Sequence, residues 1–266
     1  MTIATSYETI SAIRTELRSG GEGPPMLFLH GGHGLEAHDG FLSALAEQAR
    51  VIAPALPGFG ATDWPQEIRT IGDLSCFTLD VADQLSLDGA TIVASGFGGW
   101  IALDLLVRGG GPFACAVLVD AIGVKFADRL SRDIADLHSL EEAEVTRRLF
   151  SDPQVLQRDA TKLSDDELTA IARARETFTY FGWKPYMHDP SLRRWLRRIA
   201  VPTLVAWGAE DGFVAPEYGR ILAAAIPGAR FELIEGAGHY PPIEQPTALA
   251  ALIGAFIANS GGEAAA

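Results

Sequence analysis

The chain has 266 residues, 48% of them hydrophobic, and a formal net charge of −13 at pH 7, which suits one large domain or one domain carrying an insertion. Acidity on this scale argues against a phosphate-backbone partner, so no nucleic acid is expected. No basic segment with a following apolar stretch opens the chain, and no apolar run reaches roughly eighteen residues; the expectation is a cytoplasmic protein with no membrane partner.

In chain order, "ISAIRTELR" (10–18) reads as a reversed strand at the sheet edge, and "MLFLH" (26–30) and "RVIAPAL" (50–56) as short apolar strands. Helical periodicity follows at 40–49 and 71–87. "ATIVAS" (90–95) leads into a helix over 99–108, and "ACAVLVD" (114–120) is the next strand. Strands that are apolar almost throughout are covered on both faces, as in a parallel sheet. The alternation then breaks. "SLEEAEVTRRLF" (139–150) and "LSDDELTAIARARETFTYFGW" (163–183) are helical, with Ser139 and Ser164 placed as N-caps before acidic residues. "LRRWLRR" (192–198) alternates basic pairs around Trp195 and suggests a cap helix with one apolar side. The alternation resumes with "PTLVAWG" (202–208), a helix at 216–226, "RFELIEG" (230–236) and a helix at 246–258.

This order predicts an α/β three-layer sandwich, mostly parallel, with right-handed connections. Residues 1–122 and 201–259 form the core, 123–200 a helical cap over the carboxyl edge of the sheet, and 260–266 a flexible tail. Residues 123–200 hold 14 basic and 13 acidic residues, against 7 and 21 elsewhere. That shift fits a separate unit, and solvated helix faces would produce it equally well. Cys76 and Cys115 lie in apolar stretches and are expected to be buried thiols.

Open α/β sheets bind ligands beyond the carboxyl ends of their strands, and five unusual turns fall there. They are "LHGGHG" (29–34), "ALPGFGATD" (55–63), "IVASGFGGW" (92–100), "GAEDGF" (208–213) and "EGAGHYPPIEQP" (235–246). In this order they resemble the α/β-hydrolase fold superfamily, over about residues 10–258 and most clearly outside the cap. The resemblance implies an eight-stranded sheet, His239 as general base, Asp211 as the acid that orients it, and no cofactor. It also implies an oxyanion hole of backbone N–H groups from Phe97 and from Gly32 or His33. Among capped members, the chain looks most like esterases, lactonases and carbon–carbon bond hydrolases of ring-cleavage products.

The nucleophile elbow departs from the pattern. Small–x–nucleophile–x–Gly–Gly aligns with Ala94–Ser95–Gly96–Phe97–Gly98–Gly99, which puts glycine at the apex. Making Ser95 the nucleophile would place bulky residues where strand and helix cross, so Ser95 is the less favoured alternative. Glycine relieves the strained positive φ of the apex and removes the hydroxyl that would form an acyl-enzyme. Three readings of Gly96 stay open: an enzyme working through water, a protein that kept only the pocket, and a hydrolase whose serine was deliberately replaced. An apex carboxylate mechanism is excluded in its usual form.

The expected reaction is hydrolysis of a small apolar ester, lactone or activated carbonyl compound. The alternatives are carbon–carbon bond hydrolysis, where water rather than a serine ester carries the reaction, and non-catalytic binding of a small molecule. Asp120, at a strand end, is an alternative acid or the cap of the next turn. His30 is expected to fix the first glycine turn, while His33 and His38 lie nearer the mouth. No His spacing matches a metal motif, so no metal is expected. "TFTYFGWKPYM" (177–187) supplies aromatics for the pocket roof, and Phe181, Trp183, Tyr186 and Tyr240 are the predicted lining. Lys184 is read as a solvated stem, with a substrate-facing cation as the alternative. A homodimer is compatible with the sequence, which marks no surface for it.

Overall fold

Parallel pairing requires both faces of a strand to be covered, and the central strands meet that requirement residue by residue. In the computed structural model, which describes residues 1–128, 130–155 and 162–263, strands β5 (Thr91–Ser95), β6 (Cys115–Val119) and β9 (Thr203–Gly208) are buried at every position. With β1 (Ala4–Ile10), β2 (Ile13–Gly20), β3 (Pro25–Leu29), β4 (Arg50–Pro54) and β10 (Arg230–Ile234) they form an eight-stranded sheet in the order β1-β2-β4-β3-β5-β6-β9-β10. From β4 to β10 all neighbours pair in parallel, whereas β2 runs antiparallel to both β4 and β1. The predicted single N-terminal strand is therefore the second arm of a hairpin. Its first arm, "ATSYETI", escaped detection because it is largely exposed and carries little apolar patterning.

Helices α1 (Asp39–Leu45), α2 (Ile71–Gln84) and α3 (Gly96–Val107) follow β3, β4 and β5. Thr70 and Asp73 close α2 with a reciprocal capping box. Every residue of α3 is buried, consistent with its place between the sheet, α2 and the inserted segment. Cys76 is exposed on α2 and only Cys115 is buried, which corrects the expectation of two buried thiols. Burial pushes the Cys115 thiol up to about 11.

Between β6 and β9 lie a two-residue strand β7 (Gly123–Val124), the helices α4 (Glu142–Leu149) and α5 (Asp165–Gly182), β8 (His188–Asp189) paired with β7, and the short α6 (Leu192–Trp195). Ser164 caps α5 with Glu167 in a capping box, as predicted. Ser139 does not cap α4: it ends a 3₁₀ turn, and Glu141 occupies the N-cap without a side-chain bond. In 192–198 the buried side is formed by Leu192 and Leu196, while Trp195 is 38% exposed. Segment 123–200 grips the core at one glycine turn. On α5, Arg173 donates to the carbonyls of Gly60 and Thr62, and Thr177 donates to that of Gly58.

The chain ends with α7 (Pro216–Ala225), α8 (Pro241–Glu244) and α9 (Pro246–Glu263). Helix α9 covers 260–263, the first part of the predicted tail; residues 264–266 lie outside the described residues. No helix among the described residues is long and apolar enough to cross a membrane.

Candidate active site

The elbow is built from steric necessity. β5 passes into α3 without an intervening loop, and Gly96 takes the first helical position with φ +49°. Any L-residue there is strained by about 1–3 kcal/mol. Two positions on, a Cβ at Gly98 would stand 2.5 Å from the Leu29 carbonyl oxygen and 2.7 Å from that of His30, while Gly98 N–H donates to His30 O at 3.1 Å. A Cβ at Gly99 would collide with Ala121. These contacts fix the register, because the glycine pair must occupy the crossing of β3, β5 and α3.

With that register, the vacant side-chain direction at the apex belongs to Gly96. A Cβ built there lies 3.3 Å from His239 Nε2. Ser95 is fully buried in β5; its hydroxyl packs beside Gly31 and has no hydrogen-bond partner among the described residues. The alternative nucleophile therefore makes no hydrogen bond to His239.

The base side is complete. His239 Nδ1 lies 2.7 Å from Asp211 Oδ2, and both residues are buried. Asp211 Oδ1 accepts the N–H groups of Phe213 and Val214 at 2.8 and 2.9 Å. Three donors converge on this carboxyl: Phe213 N–H, Val214 N–H and, in the tautomer that carries its proton on Nδ1, His239. Nε2 then presents a lone pair to the apex of the elbow. Asp120, the alternative acid, makes no hydrogen bond to His239. Its Oδ1 instead accepts Gly208 N–H at 3.0 Å, and it sits against Asp211.

The inserted segment helps to hold this pair in place. The carbonyls of Arg148 and Leu149, at the end of α4, accept the N–H groups of Gly212 and His239. Glu244 accepts N–H groups from Gly238, Ser151 and Asp152, tying the histidine loop to the residues after α4. Sequence reasoning missed Glu244. Its only local signal was a lone acid in "YPPIEQP", and all three donors come from other elements.

On the opposite side, Phe97 follows the apex and, as the second residue of α3, has no partner for its N–H within the helix. Gly32 faces the cap: a Cβ there would meet the Phe178 ring at 3.1 Å. Phe178 also packs against Phe97, with ring centroids 5.5 Å apart. Phe178 belongs to the predicted aromatic run, but periodicity did not single it out. His33 is exposed, with its ring 4.6 Å from that of Tyr240. Beneath the turn, His30 Nδ1–H donates to Gly31 O, while Leu56 N–H donates to Nε2. That ring joins the first two glycine turns, and burial lowers its pKa to about 4. His38 lies buried beside Phe28 rather than at the mouth, and burial lowers it to about 3.

Of the predicted lining, Tyr240 lies against both His239 and Gly31, and Phe181 packs on Phe97 and Trp64. Trp183 and Tyr186 do not join them. They line a separate cavity of about 340 Å³ with Lys125, Arg132, Asp133 and His188. Trp183 there is 58% exposed, since the last turn of α5 points it outward. The four aromatics spread over two faces because the chain turns back after Gly182.

A hydrolase is what this fold and this buried His–Asp pair define, with the serine missing from the elbow. Residues 26–252 match the model of the Alpha/beta hydrolase family, and the chain belongs to that family. It is 30% identical over 271 residues to 2-hydroxymuconate semialdehyde hydrolase of Pseudomonas sp. strain CF600, covering 95% of this chain and 94% of that one. Among solved structures it is similar to a membrane phospholipase A, described as a bacterial virulence factor, with TM-score 0.79, 22% identity and coverage of 97% of this chain and 87% of that chain. It is also similar to a meta-cleavage product hydrolase of Pseudomonas fluorescens IP01, with TM-score 0.77, 23% identity and coverage of 97% and 98%. Both structural likenesses speak to the fold.

Proposed function

We propose that the protein is a carbon–carbon bond hydrolase of ring-cleavage-type dienoate ketones, working by direct addition of water. The observation that carries this reading is the side-chainless apex at Gly96 facing an intact His239 Nε2, with 3.3 Å to a built Cβ. An ordinary ester hydrolase needs a hydroxyl at that point, whereas a gem-diol route does not. Relatives named as 2-hydroxymuconate semialdehyde, heptadienoate and phenylhexadienoate hydrolases, 25% to 30% identical over nearly the whole chain, support the same substrate class.

In this reading His239 Nε2 removes a proton from water as the oxygen adds to the ketone carbonyl. The developing oxyanion is held by Phe97 N–H and by Gly32 or His33 N–H. The 2-hydroxydienoate first shifts to its keto tautomer, its hydroxyl proton ending on C5, and collapse of the gem-diolate then breaks the C5–C6 bond, leaving a carboxylic acid and a carbanion delocalised through C3=C4 onto the C2 carbonyl. The imidazolium returns its proton to that carbanion, so one water is consumed and His239 ends as it began. Asp211 stabilises the imidazolium between the two proton transfers. The aromatic lid of Phe178, Phe181 and Tyr240 supplies an apolar wall for the substrate's carbon skeleton.

The test is loss of dienoate absorbance from 2-hydroxy-6-oxo-2,4-heptadienoate, a methyl ketone, run beside a panel of p-nitrophenyl esters. The native chain should consume the dienoate, and His239→Ala should slow it by roughly 10²–10⁴-fold, the usual share of general acid–base catalysis. If the native chain hydrolyses esters and leaves the dienoate intact, the substrate class is wrong. Activity that emerges only in Gly96→Ser would overturn the water mechanism.

A further inference from the structure

Asp120 has no part in the reaction described above, yet it is fully buried within the same cluster. It adopts φ +46°, a left-handed backbone that favours glycine, at the end of β6. One side-chain ligand atom from each of Asp120, Asp211 and His239 lies within 4.8 Å of the others. The two carboxyls are supplied very differently. Asp211 accepts two backbone N–H groups and the imidazole N–H. Asp120 accepts one, from Gly208 on Oδ1, and its buried Oδ2 receives no donor from the described residues.

Like charges this close disfavour ionisation of both carboxyls, and one proton held by the pair relieves that repulsion. Charge settles where donors are most numerous, which is Asp211. We infer that Asp120 is a neutral carboxylic acid whose Oδ2–H donates to the Asp211 carboxylate, making Asp120 a positioning residue for the His239–Asp211 pair. Asp120 thus supplies Asp211 with a fourth hydrogen bond beside those from Phe213, Val214 and His239, which restrains the carboxyl that orients the imidazole. Burial and the charge of Asp211 both raise the pKa of Asp120, with Glu244 adding to the effect. The other titratable neighbour is the Tyr240 phenol, itself raised by burial, Asp211 and Asp120.

The role in turnover rests on the reading of His239 as the base, while the protonation of Asp120 does not, and the two are measured separately. Infrared difference spectra of the native chain against Asp120→Asn at neutral pH should show the C=O stretch of a neutral carboxylic acid in the native protein only. In turnover of the dienoate, Asp120→Asn keeps an N–H donor to Asp211 and should stay within about threefold of native. Asp120→Ala should lower kcat by about 10- to 100-fold at unchanged KM, the range for one lost hydrogen bond to a charged group. A carboxylate band lost in place of the acid band would overturn the inference, whatever the activity. So would an Asn variant as slow as the Ala variant when both melt like the native chain.

Discussion

At the elbow, the chain keeps each steric requirement of the turn and lacks its reactive group. Facing it, the Asp211–His239 pair keeps its buried, hydrogen-bonded geometry. The two regions are held by different means. The elbow is defined by what cannot fit: no Cβ at Gly98 or Gly99, and no comfortable side chain at Gly96. The acid–base side is defined by what must be satisfied: three donors on Asp211, and the N–H groups of His239, Gly212 and Gly238 received by Leu149, Arg148 and Glu244. Packing can therefore preserve an elbow without any nucleophile, whereas the buried carboxyl and imidazole would be costly to keep without each other.

The sharpest way to break that contrast is to alter the acid. Asp211→Asn presents an amide that can face His239 with its NH₂, forcing the other tautomer and withdrawing the lone pair from Gly96. A loss of about 10⁴ in kcat is expected, by analogy with the same change in serine proteases, with little change in KM. Retention of activity within about tenfold would mean that His239 is not the base.

Acid should act next, and on the elbow side. His30 and His38 lie beneath the first glycine turn with pKa values lowered from 6.5 to about 4 and about 3 by burial. The fold favours their neutral forms, so the unfolded chain binds more protons below pH 6.5. Stability from His30 is complete above about pH 6.5 and is lost as pH falls toward 4, by roughly 3 kcal/mol. Asp120, raised by burial, works in the opposite sense as pH climbs. Urea melts from pH 7 to 4 should show the decline, and His38→Phe, which keeps an aromatic ring against Phe28, should make it shallower. Parallel curves for native and variant would count against the account.

Gly98→Ala should cost about 3 kcal/mol, at the upper end for overpacking, because the new methyl meets two fixed carbonyl oxygens rather than movable side chains. A thermal melt unchanged from native would mean that the crossing can relax. The smallest effect is expected where segment 123–200 meets the core. Thr177 is buried and donates to Gly58 O at 2.9 Å. Thr177→Val should destabilise by about 1 kcal/mol, leaving that carbonyl unpaired, and should raise KM more than it lowers kcat if α5 shapes the pocket.

These regions also differ in how far the sequence revealed them. The glycine turns and the pairing of Asp211 with His239 were legible because each depends on a residue type that few others can replace at that point. Central strands such as Ala90–Ser95 were legible because burial on both faces leaves an apolar run. The first strand, 4–10, was not, since its exposed residues give no pattern. Nor were the outward turn of Trp183, the three-donor role of Glu244, or the proximity of Asp120 to Asp211. Each depends on contacts between residues far apart in sequence, and neither periodicity nor turn chemistry carries that information. Aromatic content predicted a roof for the pocket, while the backbone path after Gly182 decided which rings form it.

The central claim is that attack comes from water at an apex without a side chain. It is tested most directly by acid-quenched intact-protein mass spectrometry during the first turnovers of an activated ester and of the dienoate. Native protein should keep its unmodified mass throughout, and Gly96→Ser should show an acyl adduct with the ester. An adduct on the native chain mapping to Ser95 would contradict the account.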